Sequence, residues 1–131
     1  TIQEIIEVTE KNIHQYEEFL DRSMSESRDE VAAVKNYIYN HYAEDLNLET
    51  LAEKVYLSSG YLSFIFKKET GYNLVKYLTD YRMKKAKELL EESNWKIVDI
   101  GKACGYTNQP YFNKLFKNYY GVTPKQYREQ K

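Results

Sequence analysis

Two short segments carry polar side chains of the types that form hydrogen bonds with base edges and phosphates. In each segment, apolar residues at helical spacing predict a buried face and leave the intervening side chains pointing outward. The outward sets are Ser59, Gly60, Ser63, Phe64 and Lys67 in the first segment, and Gln109, Pro110, Asn113, Lys114 and Lys117 in the second. Asn and Gln amides pair bidentately with adenine, Lys binds guanine or phosphate, and Ser meets several base edges. These side chains could therefore read double-stranded DNA.

The two segments are copies of one unit. Residues 61–71 align with residues 111–121 at an offset of 50, and residues 51–55 align with residues 100–104 at an offset of 49. The one-residue difference falls in a turn, where insertions are tolerated best. The chain therefore holds two helix-turn-helix units, at about residues 46–71 and 96–121. Because Lys67 and Lys117 occupy equivalent positions, we expect them to hold phosphates, and the other eight outward residues to meet bases.

Local signals place helix ends around these units. Ser58 or Ser59 and Thr107 or Asn108 predict N-caps, and Gly71 and Gly121 predict left-handed helix ends. A long helix is predicted between the units at about residues 74–92, with a length of about 28 Å at about 1.5 Å per residue. Successive major-groove faces of B-DNA lie about 34 Å apart. One chain could therefore place two reading helices in adjacent major grooves.

The first 42 residues predict two helices with a polar break between them. Residues 2–21 form an amphipathic helix, residues 23–27 a linker rich in serine, and residues 29–42 a second helix. The apolar stripe of the first helix contains Ile2, Ile5, Ile6, Thr9, Ile13, Tyr16, Phe19 and Leu20. Such a stripe requires a partner. We expect a homodimer through residues 2–20; the alternative is that the helix folds back onto its own domain.

The acidic and basic residues are distributed unevenly between the two parts of the chain. Residues 1–50 carry twelve acidic and four basic side chains, whereas residues 51–131 carry eight acidic and fifteen basic ones. A basic block beside an acidic one is expected when one part meets phosphate, although solvated faces can have the same composition.

Other classes of function lack their signals in the sequence. No apolar run is as long as a membrane-spanning helix, which needs about 20 residues. The chain has a single cysteine, Cys104, and we expect it to lie in the core. His14 and His41 stand apart from any metal-ligand spacing, and neither a phosphate-binding glycine loop nor a nucleophile elbow is present. We therefore predict a cytoplasmic protein that is not an enzyme and needs no cofactor or metal. Because the chain begins with Thr1, we expect it to be a piece of a longer protein.

The repeated residues resemble the AraC/XylS family of DNA-binding domains over roughly residues 31–130. The first half of the resemblance rests on Tyr37-Ile38, Leu48, Leu51-Ala52, Tyr61-Leu62-Ser63, Phe66-Lys67, Gly71, Tyr77-Leu78, Arg82, Ala86 and Leu89-Leu90. The second half rests on Ile97, Ile100, Gly105-Tyr106, Tyr111-Phe112, Phe116-Lys117, Gly121, Thr123-Pro124 and Tyr127-Arg128. The family usually has Ala where Gly101 stands and often Phe where Asn73 stands. It often has Arg or Lys at the position of Phe64, which could instead meet a thymine methyl group or pack internally.

The resemblance implies an all-α fold of two helix-turn-helix subdomains joined by a long central helix, here with an extra N-terminal amphipathic helix. We accordingly divide the chain into residues 1–28, a linker or dimerisation helix, and residues 29–131, the DNA-binding domain. The implied function is sequence-specific DNA binding that regulates bacterial transcription, usually as an activator with RNA polymerase nearby. An upstream regulatory domain is implied, as in response regulators, and Arg82 is expected in a structural ion pair. The alternative from another class is a helical protein-interaction module without sequence-specific DNA binding.

Overall fold

In a computed structural model of the protein, the residues that the structure describes form seven helices. The structure describes residues 2–130, with every side chain among them except those of residues 5–14, 16 and 19. The helices are α1 (Ile2–His41), α2 (Leu48–Lys54), α3 (Ser59–Thr70), α4 (Leu74–Glu92), α5 (Ile97–Ala103), α6 (Gln109–Tyr120) and α7 (Pro124–Glu129). The all-α fold with two helix-turn-helix units and a central helix at residues 74–92 is thus confirmed. Within the described residues, no helix has the length and apolar character needed to cross a membrane.

Helix α1 corrects the prediction of a break at residues 23–27. The segment is helical throughout, and it contains neither proline nor glycine. Ser27 is 3% exposed, and its hydroxyl donates to the Ser23 carbonyl at 3.1 Å, so its polarity is satisfied within the helix. The predicted apolar stripe lies partly outside the described side chains, as does His14. The backbone therefore runs as one helix from Ile2 into the core of the domain.

Each helix-turn-helix unit has its own apolar core, and α4 belongs to both. Leu74 and Leu78 pack with Val31, Val34 and Ile38 of α1 and with the buried residues of α2 and α3. Further along α4, Met83, Ala86 and Leu90 pack with Ile100, Cys104, Phe112 and Phe116 of the second unit. The prediction that Cys104 is a core residue is confirmed, since its side chain is fully buried.

Side-chain caps define where the functional helices begin. Ser58 accepts from the Tyr61 amide at 3.2 Å at the start of α3, and Asn108 accepts from the Tyr111 amide at 3.0 Å at the start of α6. Asn73 caps α4 by accepting from the amides of Val75 and Lys76. These bonds satisfy amide groups that have no partner within the helix. Short, local hydrogen bonds therefore fix the first turn of both candidate recognition helices.

Arg82 joins the two subdomains, and not through the ion pair that the sequence analysis predicted. Its Nε donates to the Tyr42 carbonyl at 2.7 Å, and its Nη2 donates to the Glu44 carbonyl at 2.7 Å. The guanidinium also lies over the Tyr106 ring, 5.3 Å from its centroid. Gly105 passes so close that a Cβ there would lie 3.1 Å from the Tyr42 carbonyl oxygen. One side chain thus connects the end of α1, the centre of α4 and the turn of the second unit.

Candidate nucleic-acid interface

Helix α3 presents the first predicted set of reading residues. Its inner face is formed by Leu62, Ile65 and Phe66, all of which are buried. On the other side, Gly60, Phe64 and Lys67 are exposed and Ser59 and Ser63 are half-buried. The Phe64 side chain is 63% exposed, so internal packing does not cover it. The five predicted residues therefore occupy the accessible side of α3.

Helix α6 presents the second set in the same arrangement. Phe112 and Phe116 are buried, whereas Pro110, Lys114 and Lys117 are exposed and Gln109 and Asn113 are half-buried. Gln109 Nε2 donates to Asn113 Oδ1 at 3.0 Å, which joins the two amides one turn apart. Both amides line an open groove of about 350 Å³ that continues to Thr123 and Lys125 at the start of α7. The second unit therefore offers two linked amides beside exposed lysines.

The two repeated lysines differ in their surroundings. Lys67 Nζ donates to the Gly71 carbonyl at 3.0 Å, at the end of its own helix. Lys117 lines an open groove with Gly121, Val122 and Gln126. Both side chains are exposed, as phosphate contacts require. For Lys67, a phosphate contact would replace the hydrogen bond to Gly71.

A hydrogen bond between Tyr119 and Asp80 connects the end of α6 with α4. The Tyr119 hydroxyl donates to Asp80 Oδ1 at 2.6 Å, and Lys76 Nζ lies 3.2 Å from the same oxygen. Burial raises the pKa of Tyr119 above its ordinary value, and the hydrogen bond to Asp80 raises it further. Tyr119 therefore stays protonated and keeps donating at neutral pH. This contact orients α6 relative to the central helix.

Two exposed tyrosines at equivalent positions are repeated in both units but were not among the predicted reading residues. Tyr61 is 40% exposed and Tyr111 is 54% exposed, each in the first turn of its recognition helix. Their identity in both copies was the signal that could have singled them out. Tyr56, in the turn of the first unit, is 94% exposed and has a φ of 61°. All three lie within three residues of Ser58 and Asn108, the caps of the two helices.

Comparison with known proteins assigns this geometry to a family. A family described as a helix-turn-helix domain matches residues 51–130. The regulatory protein PocR of Salmonella typhimurium is 43% identical over 94 residues, which cover 72% of this chain and 31% of PocR. The chain therefore spans about a third of that relative's length. Two other curated relatives, the Msm operon regulatory protein of Streptococcus mutans and the regulator YijO of Escherichia coli, are covered over 40% and 35% of their length.

Solved structures extend the match to three dimensions. The C-terminal domain of the two-component response regulator yesN from Fusobacterium nucleatum has a TM-score of 0.72 and 43% identity, covering 74% of this chain and 95% of that domain. The DNA-binding domain of AdpA, solved in complex with a target DNA, has a TM-score of 0.72 and 27% identity, covering 76% and 90%. The chain belongs to the AraC/XylS family of helix-turn-helix DNA-binding domains.

The family assignment also identifies the class of function. The chain contains a DNA-binding domain of a bacterial transcription regulator. The alternative prediction, a protein-interaction module without sequence-specific DNA binding, is not supported by these matches.

Proposed function

We propose that α3 and α6 are recognition helices that enter two successive major grooves on one side of a DNA duplex. The observation that carries this proposal is that both repeated helices bury one face and leave an equivalent polar face accessible. The helix between them, α4, has 19 residues and is about 28 Å long. This length is comparable with the distance of about 34 Å between successive major-groove faces.

The accessible side chains divide into two roles in this proposal. Ser59, Gly60, Ser63 and Phe64 in α3 contact bases, and so do Gln109, Pro110, Asn113 and Lys114 in α6. The amide, hydroxyl and ammonium groups supply hydrogen bonds to base edges, and Phe64 supplies an apolar surface for a thymine methyl group. Lys67 and Lys117 bind phosphates and hold the helices in register on the duplex.

Base readout predicts losses confined to the cognate sequence. Asn113→Ala and Gln109→Ala should each weaken binding to a selected high-affinity duplex by about 1–3 kcal/mol and leave random-sequence DNA nearly unaffected. Fluorescence anisotropy on the two kinds of duplex, at one salt concentration, measures both quantities. Equal losses on cognate and random DNA would contradict base readout by these amides.

Phosphate binding predicts the opposite pattern. Lys67→Gln and Lys117→Gln should weaken binding to every sequence and reduce the slope of log K against log salt by about one each. Glutamine is chosen because it removes the positive charge and keeps a polar side chain with an N–H donor. A loss restricted to the cognate duplex would assign these lysines to base readout.

We also propose that α1 pairs with its counterpart in a second chain. Of the side chains at positions 2–26 that the structure describes, all are exposed, including Leu20 at 40% and Met24 at 47%. The fold-back alternative therefore has no support from these side chains. Leu20, Ser27 and Val34 follow one another at seven-residue spacing, so the stripe continues in register with the core face of the domain. A dimer would suit operators made of two repeated sites.

For the whole protein, we propose a cytoplasmic activator in which a regulatory domain precedes this chain. The resemblance to a response-regulator C-terminal domain supports this arrangement. RNA polymerase is its proposed partner, and this part of the protein has no catalytic role. Transcription in vitro with purified RNA polymerase and the full-length protein tests the proposal. An increase in transcript that needs the cognate site supports activation, and a decrease identifies a repressor.

A further inference from the structure

Gln109 and Phe112 occupy space that a methyl group on Gly101 would take. Gly101 lies in α5, directly beneath the first turn of α6, and is buried. A Cβ at this position would lie 3.1 Å from Gln109 Oε1 and 3.1 Å from Phe112 Cδ2. Both distances are shorter than an ordinary van der Waals contact, so both groups would have to shift by a few tenths of an ångström if Gly101 became alanine.

The first unit shows the complementary choice of side chains. Ala52 occupies the position equivalent to Gly101, and it is buried in α2. In the first unit, Ser59 and Leu62 stand at the positions that correspond to the larger Gln109 and Phe112. The second unit therefore combines glycine at position 101 with the larger side chains of Gln109 and Phe112. The loss of one methyl group is matched by the added volume of the reading helix.

This packing determines which hydrogen-bonding groups Gln109 can offer. Its Nε2 donates to Asn113 Oδ1 at 3.0 Å, and its Oε1 is turned toward Gly101. Bidentate pairing with adenine requires the donor and the acceptor of one amide to face the same base. With its acceptor turned toward α5 and one amide hydrogen donated to Asn113, Gln109 can offer the groove its remaining N–H donor and no acceptor.

We propose that Gly101 is a positioning residue for specificity, which holds Gln109 in this donor-only orientation. This inference rests on the proposed base readout by Gln109. At the base pair that Gln109 reads, the second unit then favours guanine, whose major-groove edge presents two acceptors, over adenine. An alanine at position 101 displaces the Gln109 carbonyl toward the groove and makes bidentate pairing with adenine accessible.

The test uses the whole chain and a library of randomised duplexes, with bound sequences counted for each variant. Gly101→Ala is combined with Phe112→Leu, which recreates the Ala52 and Leu62 pairing of the first unit and removes the contact with the ring. The informative base pair is the one at which Gln109→Ala abolishes preference. At that base pair, the double variant should raise the ratio of adenine to guanine by at least about fivefold. This is the smallest discrimination expected from one bidentate contact.

Two controls separate positioning from packing. The Phe112→Leu single variant should retain the wild-type base preference, and Ala52→Gly should leave the preference read by α3 unchanged because Ser59 is too short to fill the space. In the Gln109→Ala background, Gly101→Ala with Phe112→Leu should produce no change in base preference. Thermal unfolding of every variant checks that it is folded.

Each remaining outcome overturns a defined statement. An unchanged adenine-to-guanine ratio in a folded double variant overturns the role of Gly101, and so does a shift that persists without Gln109. If Gln109→Ala itself changes no base preference, base readout by Gln109 fails first and the inference fails with it.

Discussion

At the residue scale, Arg82 is a buried cation that contacts both subdomains. Its side chain is 8% exposed, and its two hydrogen bonds go to carbonyls just beyond the end of α1, 40 and 38 residues away in sequence. Carbonyl acceptors satisfy the guanidinium donors without a second buried charge. The planar guanidinium suits this arrangement because its donors are fixed in a fork.

Substitution of Arg82 tests this role. Arg82→Lys should lower the free energy of unfolding by about 2–4 kcal/mol, because an ammonium group does not reproduce the two divergent bonds. Arg82→Met keeps much of the length without the charge and should be destabilised at least as much, since both carbonyls lose their donor. Urea unfolding measures the two values. A lysine variant as stable as the wild type would contradict the requirement for the fork.

The stability of the second core should fall at alkaline pH because the thiol of Cys104 is buried there. Burial raises the pKa of its thiol from 9.0 to about 12. The folded chain therefore binds this proton more tightly than the unfolded chain, and the stabilisation is present below pH 9 and is lost as pH rises toward 12.

The size of this effect can be measured against a variant without the thiol. A shift of this size corresponds to at most about 4 kcal/mol. Cys104→Ala should therefore lose less stability than the wild type between pH 9 and pH 12 in urea unfolding. Because tyrosines titrate in the same range, the difference between the two proteins is the informative quantity. Parallel pH profiles would show that the thiol does not contribute.

At the element scale, α4 is the part that both units share, and its start depends on Asn73. The family often has an aromatic residue at this position, so the sequence analysis emphasised the missing Phe. The structure shows a different use: the Asn73 side chain accepts from two amides of the first turn, at 2.9 and 3.2 Å.

Removal of this cap has a predictable cost. Asn73→Ala should lower the free energy of unfolding by about 1 kcal/mol, whereas Asn73→Asp keeps an acceptor oxygen and should remain close to the wild type. Thermal unfolding is sufficient, because about 1 kcal/mol moves the Tm of a domain of this size by several degrees. If the aspartate variant lost as much stability as the alanine variant, capping would not be the role of Asn73.

At the scale of the whole molecule, α1 extends from Ile2 into the core of the DNA-binding domain. Its C-terminal part contributes Val31, Val34 and Ile38 to the first core, and Arg82 fastens the chain just beyond its end. Because the helix is continuous from Ile2 to His41, a dimer formed along its first part would also set the orientation of the two domains. The proposed dimer would thus determine the spacing between the sites that the two chains bind.

The dimer is tested with point variants in the intact chain. Leu20→Glu places a charge on the apolar stripe and should convert a dimer at micromolar concentration into a monomer in sedimentation experiments. Gln15→Glu, at an exposed position away from the stripe, adds the same charge and should leave the dimer intact. A wild-type chain that sediments as a monomer, or a Leu20→Glu variant that still sediments as a dimer, would rule out pairing through this face.

The sequence by itself determined the features that depend on neighbours in the chain. Helix periodicity, the left-handed ends at Gly71 and Gly121 and the approximate positions of the N-caps all involve residues within one or two turns. The sequence narrowed each cap to two adjacent residues, and the structure selects Ser58 and Asn108. The repeat then identified two equivalent units, and the accessible sides of α3 and α6 followed from the spacing of their apolar residues. Such local patterns are visible without knowledge of the fold.

The tertiary structure decided what depends on contacts between distant segments. A serine-rich stretch was predicted to break α1, but Ser27 is buried and satisfies its hydroxyl within the helix. The partners of Arg82 are carbonyls far away in the sequence, and no local pattern predicts them. From the sequence, Gly101 is recognisable as a departure from the family pattern, which usually has Ala there. Its neighbours are known from the packing of α5 against α6, because the space around a residue is set by the side chains that surround it in the folded chain.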